Sequence, residues 1–177
     1  MSFSDPQKIL DQFKLNTGRA VADIGSCGGY YAIPTAKMVG PMGRVYAIDI
    51  LKDMLQKVKN EAIRNQLYNV EALWGNAEKL GGTRLADAIV DAVLICNSLF
   101  LVEDKNTFVL EVKRILRPEG KVLLVDWKDS YGGMGPQPSH VVTPETARAL
   151  FEKAGFEFER ELKDAGEHHY GIIFKRI

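Results

Sequence analysis

A short apolar run near the start of the chain ends in a glycine-rich turn, in the sequence VADIGSCGG at residues 21–29. From Tyr30 to Val39 the apolar side chains recur three and four residues apart, which predicts a helix. Glycine lets a backbone turn tightly and approach a ligand closely. A helix that starts directly after such a turn directs unpaired amide donors and a partial positive charge towards it. The segment therefore predicts a strand–turn–helix unit that binds a nucleotide or a carboxylate.

The same alternation of buried strand and amphipathic helix continues along the chain. Short apolar runs bounded by turn residues predict five strands: Ala20–Ile24, Arg44–Ile48, Val70–Trp74, Asp91–Cys96 and Lys121–Trp127. Helical spacing and capping residues predict helices that begin at Asp5-Pro6, span Tyr30–Val39, Lys52–Asn65 and Lys105–Leu116, and run from Thr143 to Gly155. Strands that alternate with helices imply a largely parallel sheet with helices on both faces.

The C-terminal part of the chain breaks this alternation. Two strand-like runs, Phe156–Leu162 and His168–Lys175, are joined only by a short segment around Asp164-Ala165-Gly166. A parallel crossover needs a dozen or more residues, so these two runs predict an antiparallel hairpin. The sheet is then expected to hold seven strands, mostly parallel, within a single domain over residues 1–177.

The second predicted strand ends in an acid, Asp49, about two dozen residues after Gly25. A carboxylate at this position accepts hydrogen bonds from both ribose hydroxyls of a nucleotide. The structural alternative is a cap for the helix that follows. A nicotinamide enzyme would also need the spacing G-x-G-x-x-G, whereas here Gly25 is followed by glycines only at Gly28 and Gly29. An NAD-dependent oxidoreductase is therefore disfavoured.

The segment ADIGSCGG, residues 22–29, resembles the first motif, D-x-G-x-G-x-G, of class I methyltransferases that use S-adenosyl-L-methionine (SAM). It most resembles the group that includes the ubiquinone/menaquinone-biosynthesis methyltransferases. The similarity extends to the second strand, the adenine loop, the fourth strand and its turn, and a helix–turn–strand unit, at Val45–Asp49, 75–78, Asp91–Leu101 and Glu111–Trp127. The resemblance implies an α/β fold with a Rossmann-like seven-stranded sheet, a C-terminal antiparallel hairpin and SAM as the cofactor.

The resemblance also implies roles in the first turn. Asp23 would order the turn and hold the methionine amino group of the cofactor, directly or through water. Gly25 and Gly29 would let the backbone pass the cofactor, and Ser26 and Cys27 lie in the same turn. All five are expected to bind SAM.

A second set of residues is expected at the nucleoside end of the cofactor. Asp49 would bind the ribose, with Ile50 and Met54 packing on the adenine. Asn76 and Ala77 would meet the edge of the adenine ring. These roles follow from the resemblance and not from spacing alone.

The fourth strand ends at Asn97, which the resemblance places near the methionine end of the cofactor. Three positions depart from the family pattern. Cys27 replaces the middle glycine of the motif, Asn76 replaces the usual aspartate, and Phe100-Leu101 stands where relatives often have paired histidines. A side chain at position 27 would narrow the cofactor groove and, in a left-handed conformation, would cost about 1–2 kcal/mol. These departures motivate the alternative of a non-catalytic SAM-binding or interaction protein.

Composition limits the class of partner. Lysine plus arginine and aspartate plus glutamate both number 23, so the formal net charge is zero and nucleic acid is an unlikely partner. No apolar stretch approaches the roughly 18 residues of a membrane helix, and the N-terminus does not read as a signal peptide. Two cysteines are too few for a disulfide framework or a zinc site. A cytoplasmic protein without a metal is expected.

The acceptor site is predicted where the fifth and last strands meet. In the family's strand order these strands are neighbours, so His168, His169 and Tyr170 should come near Trp127, with His140 available from the preceding loop. The hypothesis is a histidine–aromatic cluster that shapes an acceptor pocket or takes its proton, with His140, His168 and Tyr170 as weak catalytic candidates. The alternative is a hairpin whose residues point to alternate faces.

The sequence as a whole predicts a SAM-dependent methyltransferase. Methyl transfer from a sulfonium needs mainly in-line placement and exclusion of water, so the lack of a catalytic triad does not argue against it. The acceptor is expected to be a small molecule, and a group on a macromolecule stays open. The acceptor's identity and the oligomeric state are not encoded in any motif found.

Overall fold

The computed structural model describes residues 4–177, in which helices separate most of the successive strands. The strands are β1 (Ala20–Ile24), β2 (Arg44–Asp49), β3 (Val70–Trp74), β4 (Val90–Cys96), β5 (Leu116–Trp127), β6 (Phe156–Glu161) and β7 (His169–Arg176). The helices are α1 (Pro6–Phe13), α2 (Ala32–Val39), α3 (Lys52–Arg64), α4 (Lys105–Ile115) and α5 (Pro144–Lys153), with short 3-10 helices at Leu99–Leu101 and Pro138–His140.

The strands form one seven-stranded sheet in the order β3-β2-β1-β4-β5-β7-β6. Neighbouring strands from β3 to β5 run parallel, whereas β7 is antiparallel to both β5 and β6. The predicted mostly parallel sheet with a C-terminal antiparallel hairpin is therefore confirmed. Strand order reverses between β1 and β4, and in such sheets the ligand crevice lies beyond the carboxyl ends of the strands at that reversal.

Successive residues of each strand point to opposite faces, and each face has its own apolar core. The first face, here called the α1 face, packs Val21 of β1 and Leu94 of β4 against α1, α2 and α3. The second, here called the α4 face, packs Ala22 and Val93 against α4 and α5. Because nearly every core residue is fully covered, each large one contributes about 1.5–3 kcal/mol of burial.

Strand β5 starts earlier than the sequence predicts. The pattern predicted a helix through Leu116 and a strand from Lys121, but α4 ends at Ile115 and Leu116 already pairs with Val90 of β4. The register between the two strands then shifts between Val90 and Ala92. The strand begins here because pairing with β4 buries the Leu116 side chain completely in the core. The shift in register accommodates the proline and glycine that follow.

Among residues 4–177, no helix is long and apolar enough to cross a membrane.

Candidate functional site

The glycine-rich turn lies between β1 and α2 at the carboxyl edge of the sheet. Gly25 has φ +75°, and a Cβ added there would lie 2.8 Å from the Cβ of Ser98, so only glycine fits. Gly29 has φ +98° and lies against Ile33. The turn is longer than predicted, since α2 begins at Ala32. The chain therefore brings bare backbone to the edge between β1 and β4.

Cys27 occupies a left-handed conformation with φ +44°. A non-glycine residue in this region costs about 1–2 kcal/mol. The sequence predicted this strain for Cys27 if the turn is left-handed, and the turn has that conformation. Its side chain is exposed, and its backbone N–H donates to Oδ2 of Asp49 at 3.2 Å. The strain at Cys27 is thus held in place partly by the acid of the neighbouring strand.

Asp23 is buried in this turn with a carboxyl oxygen, Oδ2, that has no hydrogen-bond partner in the described part of the chain. Burial, followed by repulsion from Asp49, raises the pKa of Asp23 to about 7, although the N–H of Ala32 acts in the opposite direction. Oγ of Ser26 and Oδ1 of Asn97 are also buried, with no hydrogen-bond partner from residues 4–177. An acid and two polar oxygens without partners suit a ligand that brings an ammonium group and further donors, as the methionine end of SAM does.

Asp49, at the end of β2, is buried and accepts two backbone hydrogen bonds. Oδ1 accepts from the N–H of Leu51 at 2.9 Å, and Oδ2 accepts from Cys27 at 3.2 Å. Each carboxylate oxygen retains capacity for a further donor. The alternative role as a helix cap is not supported within residues 4–177, because Leu51 is the N-cap of α3 and no side chain caps this helix. Beside Asp49, Ile50 is 58% exposed, so its side chain is accessible to a ligand.

The adenine loop follows β3 and differs in one detail from the expectation. Oδ1 of Asn76 already accepts from the N–H of Glu78 at 2.9 Å, so this oxygen shapes the loop as well as facing any ligand. Ala77 is buried with its side chain in the core of the α4 face, which leaves its backbone for recognition. Met54 is half-buried in the first turn of α3. The ribose and adenine roles of these residues stay predictions.

Glu111 of α4 supports the adenine loop, whereas the family resemblance of the segment Glu111–Trp127 implied no role for its side chain. Its side chain is fully buried and accepts from the N–H of Gly81 at 2.8 Å and from Oγ1 of Thr83 at 2.6 Å. Arg114 donates to it through two nitrogens, both at 2.8 Å. Gly82, which lies between Gly81 and Thr83, accepts through its carbonyl from the N–H of Asn76 at 2.9 Å. Glu111 is therefore linked to the adenine loop through a short chain of hydrogen bonds.

The structure divides the predicted histidine–aromatic cluster. His169 is buried beside Trp127, with ring centroids 4.3 Å apart. His168 instead bonds Asp129 through Nδ1 at 2.8 Å and stacks on Tyr131.

Tyr170 is buried on the opposite face, where it pairs with Asp126 of β5. His140 is exposed in the 3-10 helix, and no side-chain contact joins it to the other histidines within residues 4–177. Strand alternation separates Tyr170 from His169, whereas His168 precedes β7, so of these residues only His169 joins Trp127 on the α1 face.

Asp126 is a buried acid of the site that the sequence prediction missed. Burial raises its pKa to about 6, even though it accepts backbone hydrogen bonds from Trp127 at 2.8 Å and Phe100 at 3.2 Å. These bonds fix the turn after β4, which includes Phe100-Leu101. Leu101 is 65% exposed at the same turn. The position was hidden in a run of apolar residues that predicted only a buried strand.

Within the described residues, no group of three or more histidine, cysteine, aspartate or glutamate side chains is arranged to hold a metal ion.

Comparison with known proteins identifies the family. A family model described as a methyltransferase domain matches residues 15–166, so the chain belongs to this family. The crystal structure of a SAM-dependent methyltransferase from Aquifex aeolicus superposes with a TM-score of 0.89 at 29% identity, covering 99% of this chain and 91% of that one. The predicted class I fold is thereby confirmed, and SAM is the cofactor that this class uses.

Curated relatives differ in acceptor. A demethylmenaquinone methyltransferase of a Geobacillus strain is 31% identical over 68% of this chain and 50% of its own length. An arsenite methyltransferase of Halobacterium salinarum is 28% identical over 79% of this chain and 38% of its own length. The chain spans half or less of the length of these relatives. Their names agree on methyl transfer and disagree on its target.

Proposed function

We propose that this chain is an active SAM-dependent methyltransferase whose acceptor is a small molecule. The observation that carries the proposal is a group of buried polar atoms at the carboxyl edge that have no partner within the described residues: Oδ2 of Asp23, Oγ of Ser26 and Oδ1 of Asn97. A buried polar atom without a partner costs about 1–3 kcal/mol, and a bound ligand that supplies the partner removes that cost.

Each acid at the edge has a distinct task in this proposal. Asp23 holds the ammonium of the methionine end, and Asp49 holds the ribose hydroxyls. SAM supplies a methyl group already activated by its sulfonium. The protein then orients the two reactants and excludes water. Ser4 supplies cover at this edge, because the hydroxyl of Tyr30 donates to the carbonyl of Ser4 at 3.1 Å and ties Ser4 to the end of the glycine turn.

A small-molecule acceptor is supported by two observations. The formal net charge of zero gives no general attraction for nucleic acid. The two curated relatives are named for arsenite and demethylmenaquinone, both of which are small molecules. A macromolecular acceptor would instead be revealed by transfer of label to protein or RNA. A cytoplasmic location and the single-domain organisation stay predictions.

One observation favours a second candidate, a SAM-binding protein without methyl transfer. Cys27 places a strained side chain where the family motif has glycine. Such a protein would bind the cofactor and release no methyl group to any acceptor class.

The test is calorimetric titration of the purified chain with S-adenosylhomocysteine (SAH), the demethylated product, beside NADH. Micromolar binding of SAH with no binding of NADH supports the proposed cofactor site. Absence of SAH binding overturns it. Incubation with methyl-labelled SAM and a panel of small acceptors, protein and RNA then separates the enzyme from the second candidate. Label in a small product supports the proposal, and label only in macromolecules contradicts its acceptor class.

A further inference from the structure

His169 is a buried titratable group that the proposed cofactor site does not use. Its side chain is 5% exposed, and neither Nδ1 nor Nε2 has a hydrogen-bond partner among residues 4–177. The adjacent His168 has Asp129 and the ring of Tyr131 as partners. A core histidine that is merely structural usually donates from one nitrogen and accepts at the other, because an unmet ring nitrogen in the interior costs about 1–3 kcal/mol.

Strand register places His169 on the same face of the sheet as the cofactor acid. Asp23 of β1 pairs with Leu94 of β4, and Cys96 follows two residues later on the same face. Cys96 pairs with Val125 of β5, which is two residues before Trp127. The two residues of each pair lie on the same face, so these residues form a row that continues across the sheet to the next strand.

Trp127 in turn pairs with His169 of β7. The series therefore runs along the carboxyl edge of the α1 face, from Asp23 to His169. Neighbouring strands lie about 4.8 Å apart, so β1 and β7 are separated by roughly 14 Å. One end of this row is the proposed methionine site, and the other end is His169.

We propose that His169 binds the methyl acceptor and takes its proton, and that the acceptor is an uncharged ring compound with a hydroxyl as its reacting group. This inference rests on the proposed methyltransferase function. The hydroxyl proton moves to an imidazole nitrogen, the new O–CH3 bond forms as the S–CH3 bond breaks, and the sulfonium becomes a neutral thioether. The imidazolium then releases its proton to solvent.

The surroundings of His169 match this acceptor. The indole of Trp127 lies 4.3 Å from the imidazole, and the apolar core of the α1 face lies below it. An ionised acceptor would lose its hydration there without a paired charge, whereas a neutral ring would not. Burial, together with His168 and Lys128, lowers the pKa of His169, and Asp129 opposes this shift. The imidazole is therefore neutral near pH 7, which is the form that accepts a proton.

The test uses the SAH-saturated chain and two small probes that differ only at the reacting oxygen, 4-methylphenol and its methyl ether, 4-methylanisole. The chain has three histidines, so their imidazole C–H signals are assigned by single substitutions and followed by NMR during titration. We expect 4-methylphenol to shift the His169 signal with saturation, and the methyl ether to bind at least tenfold more weakly. The signal of His140 should stay in place.

His169→Gln and the matched control His168→Gln complete the test. We expect His169→Gln to weaken 4-methylphenol binding about tenfold while SAH affinity stays within twofold, and His168→Gln to leave both unchanged. Failure of 4-methylphenol to bind, or binding that does not move the His169 signal, overturns the acceptor proposal while the cofactor site stands. An equal loss of SAH and 4-methylphenol binding in His169→Gln would show a purely structural residue. Absence of SAH binding to the unchanged chain overturns the methyltransferase proposal itself.

Discussion

Two of the buried acids, Glu111 and Asp23, have pKa values shifted in opposite directions. Burial alone would raise the pKa of Glu111, but Arg114, Thr83 and the Gly81 N–H outweigh it and lower the pKa to about 2. Burial raises the pKa of Asp23 to about 7, and Asp49 adds to the shift. The difference lies in hydrogen-bond partners. Within the described residues, the protein supplies donors to both carboxylate oxygens of Glu111 but none to Oδ2 of Asp23.

This contrast distinguishes a region that supports the fold from a region that binds a ligand. The region around Glu111 is complete without a ligand and fixes the loop that carries Asn76. The carboxyl edge around Asp23 and His169 has buried polar atoms without partners among the described residues. These atoms lower the stability of the free protein, and a ligand that pairs with them offsets that cost. Substitutions in the first region should lower the free energy of unfolding, and those in the second should lower affinity.

The largest effect is expected for Glu111→Gln. The substitution leaves Arg114 without its buried carboxylate partner, which should lower the free energy of unfolding by about 3 kcal/mol. Urea denaturation at pH 7 measures the loss. The control is Asp87→Asn, because Asp87 bonds the same guanidinium but its side chain is 80% exposed, so a change of at most about 1 kcal/mol is expected. Equal losses in both variants would contradict the assigned role of Glu111.

The pH dependence of stability should show the same acid. Because the folded pKa of Glu111 is about 2 and the unfolded value is about 4.3, its contribution is complete above the unfolded value and disappears as pH falls towards 2. The difference in free energy of unfolding between the wild-type chain and Glu111→Gln should therefore disappear between about pH 4 and pH 2. A difference between the two proteins that stays constant down to pH 2 would refute the assignment.

The second prediction concerns affinity. Asp23→Asn removes the acid expected to hold the ammonium of SAH, and a hydrogen bond to a charged group contributes about 1.5–3 kcal/mol, so SAH binding should weaken roughly ten- to a hundredfold. Calorimetry measures this loss. Stability should not fall, because the ionised Asp23 lacks an internal partner for Oδ2. A variant that unfolds more easily at pH 8 and binds SAH normally would place Asp23 in the supporting region.

A third prediction follows from the raised pKa of Asp23. The free chain carries part of this acid in its protonated form near pH 7, whereas an ammonium favours the ionised form. SAH affinity should therefore rise as pH increases from 6 to 8 and then level off, with proton release on binding. Calorimetry in two buffers with different ionisation enthalpies counts these protons. Asp23→Asn should bind with no such release, and a wild-type chain with flat affinity over this range would contradict the prediction.

The sequence predicted the architecture well because strand and helix periods are local properties. The order of elements and the antiparallel hairpin both followed from spacing and from the short connection around Asp164. The start of β5 was missed, since it depends on the pairing of Leu116 with Val90, residues distant in sequence.

Site residues divide in the same way. Motif residues such as Asp23 and Asn97 were found because their types and positions match a pattern, and the structure leaves both with buried oxygens that lack partners. Glu111 and Asp126 were missed because a single acid in a helix or strand carries no signal until its neighbours in space are known. For the adjacent His168 and His169, alternation predicts opposite faces, but only the sheet order shows which face also carries Asp23.

The smallest effect should come from Cys27, whose strain belongs to the binding region. Cys27→Gly relieves a left-handed conformation at φ +44° and should raise the free energy of unfolding by about 1 kcal/mol. Thermal denaturation measures the gain. SAH affinity should change less than threefold, because the Cys27 side chain is exposed and its backbone N–H to Asp49 is retained. The opposite change, Gly25→Ala, should be destabilising, since its Cβ would meet Ser98 at 2.8 Å. If Cys27→Gly instead strengthened SAH binding a hundredfold, the cysteine would be a steric barrier in the groove, and the division between strain and affinity at this edge would fail.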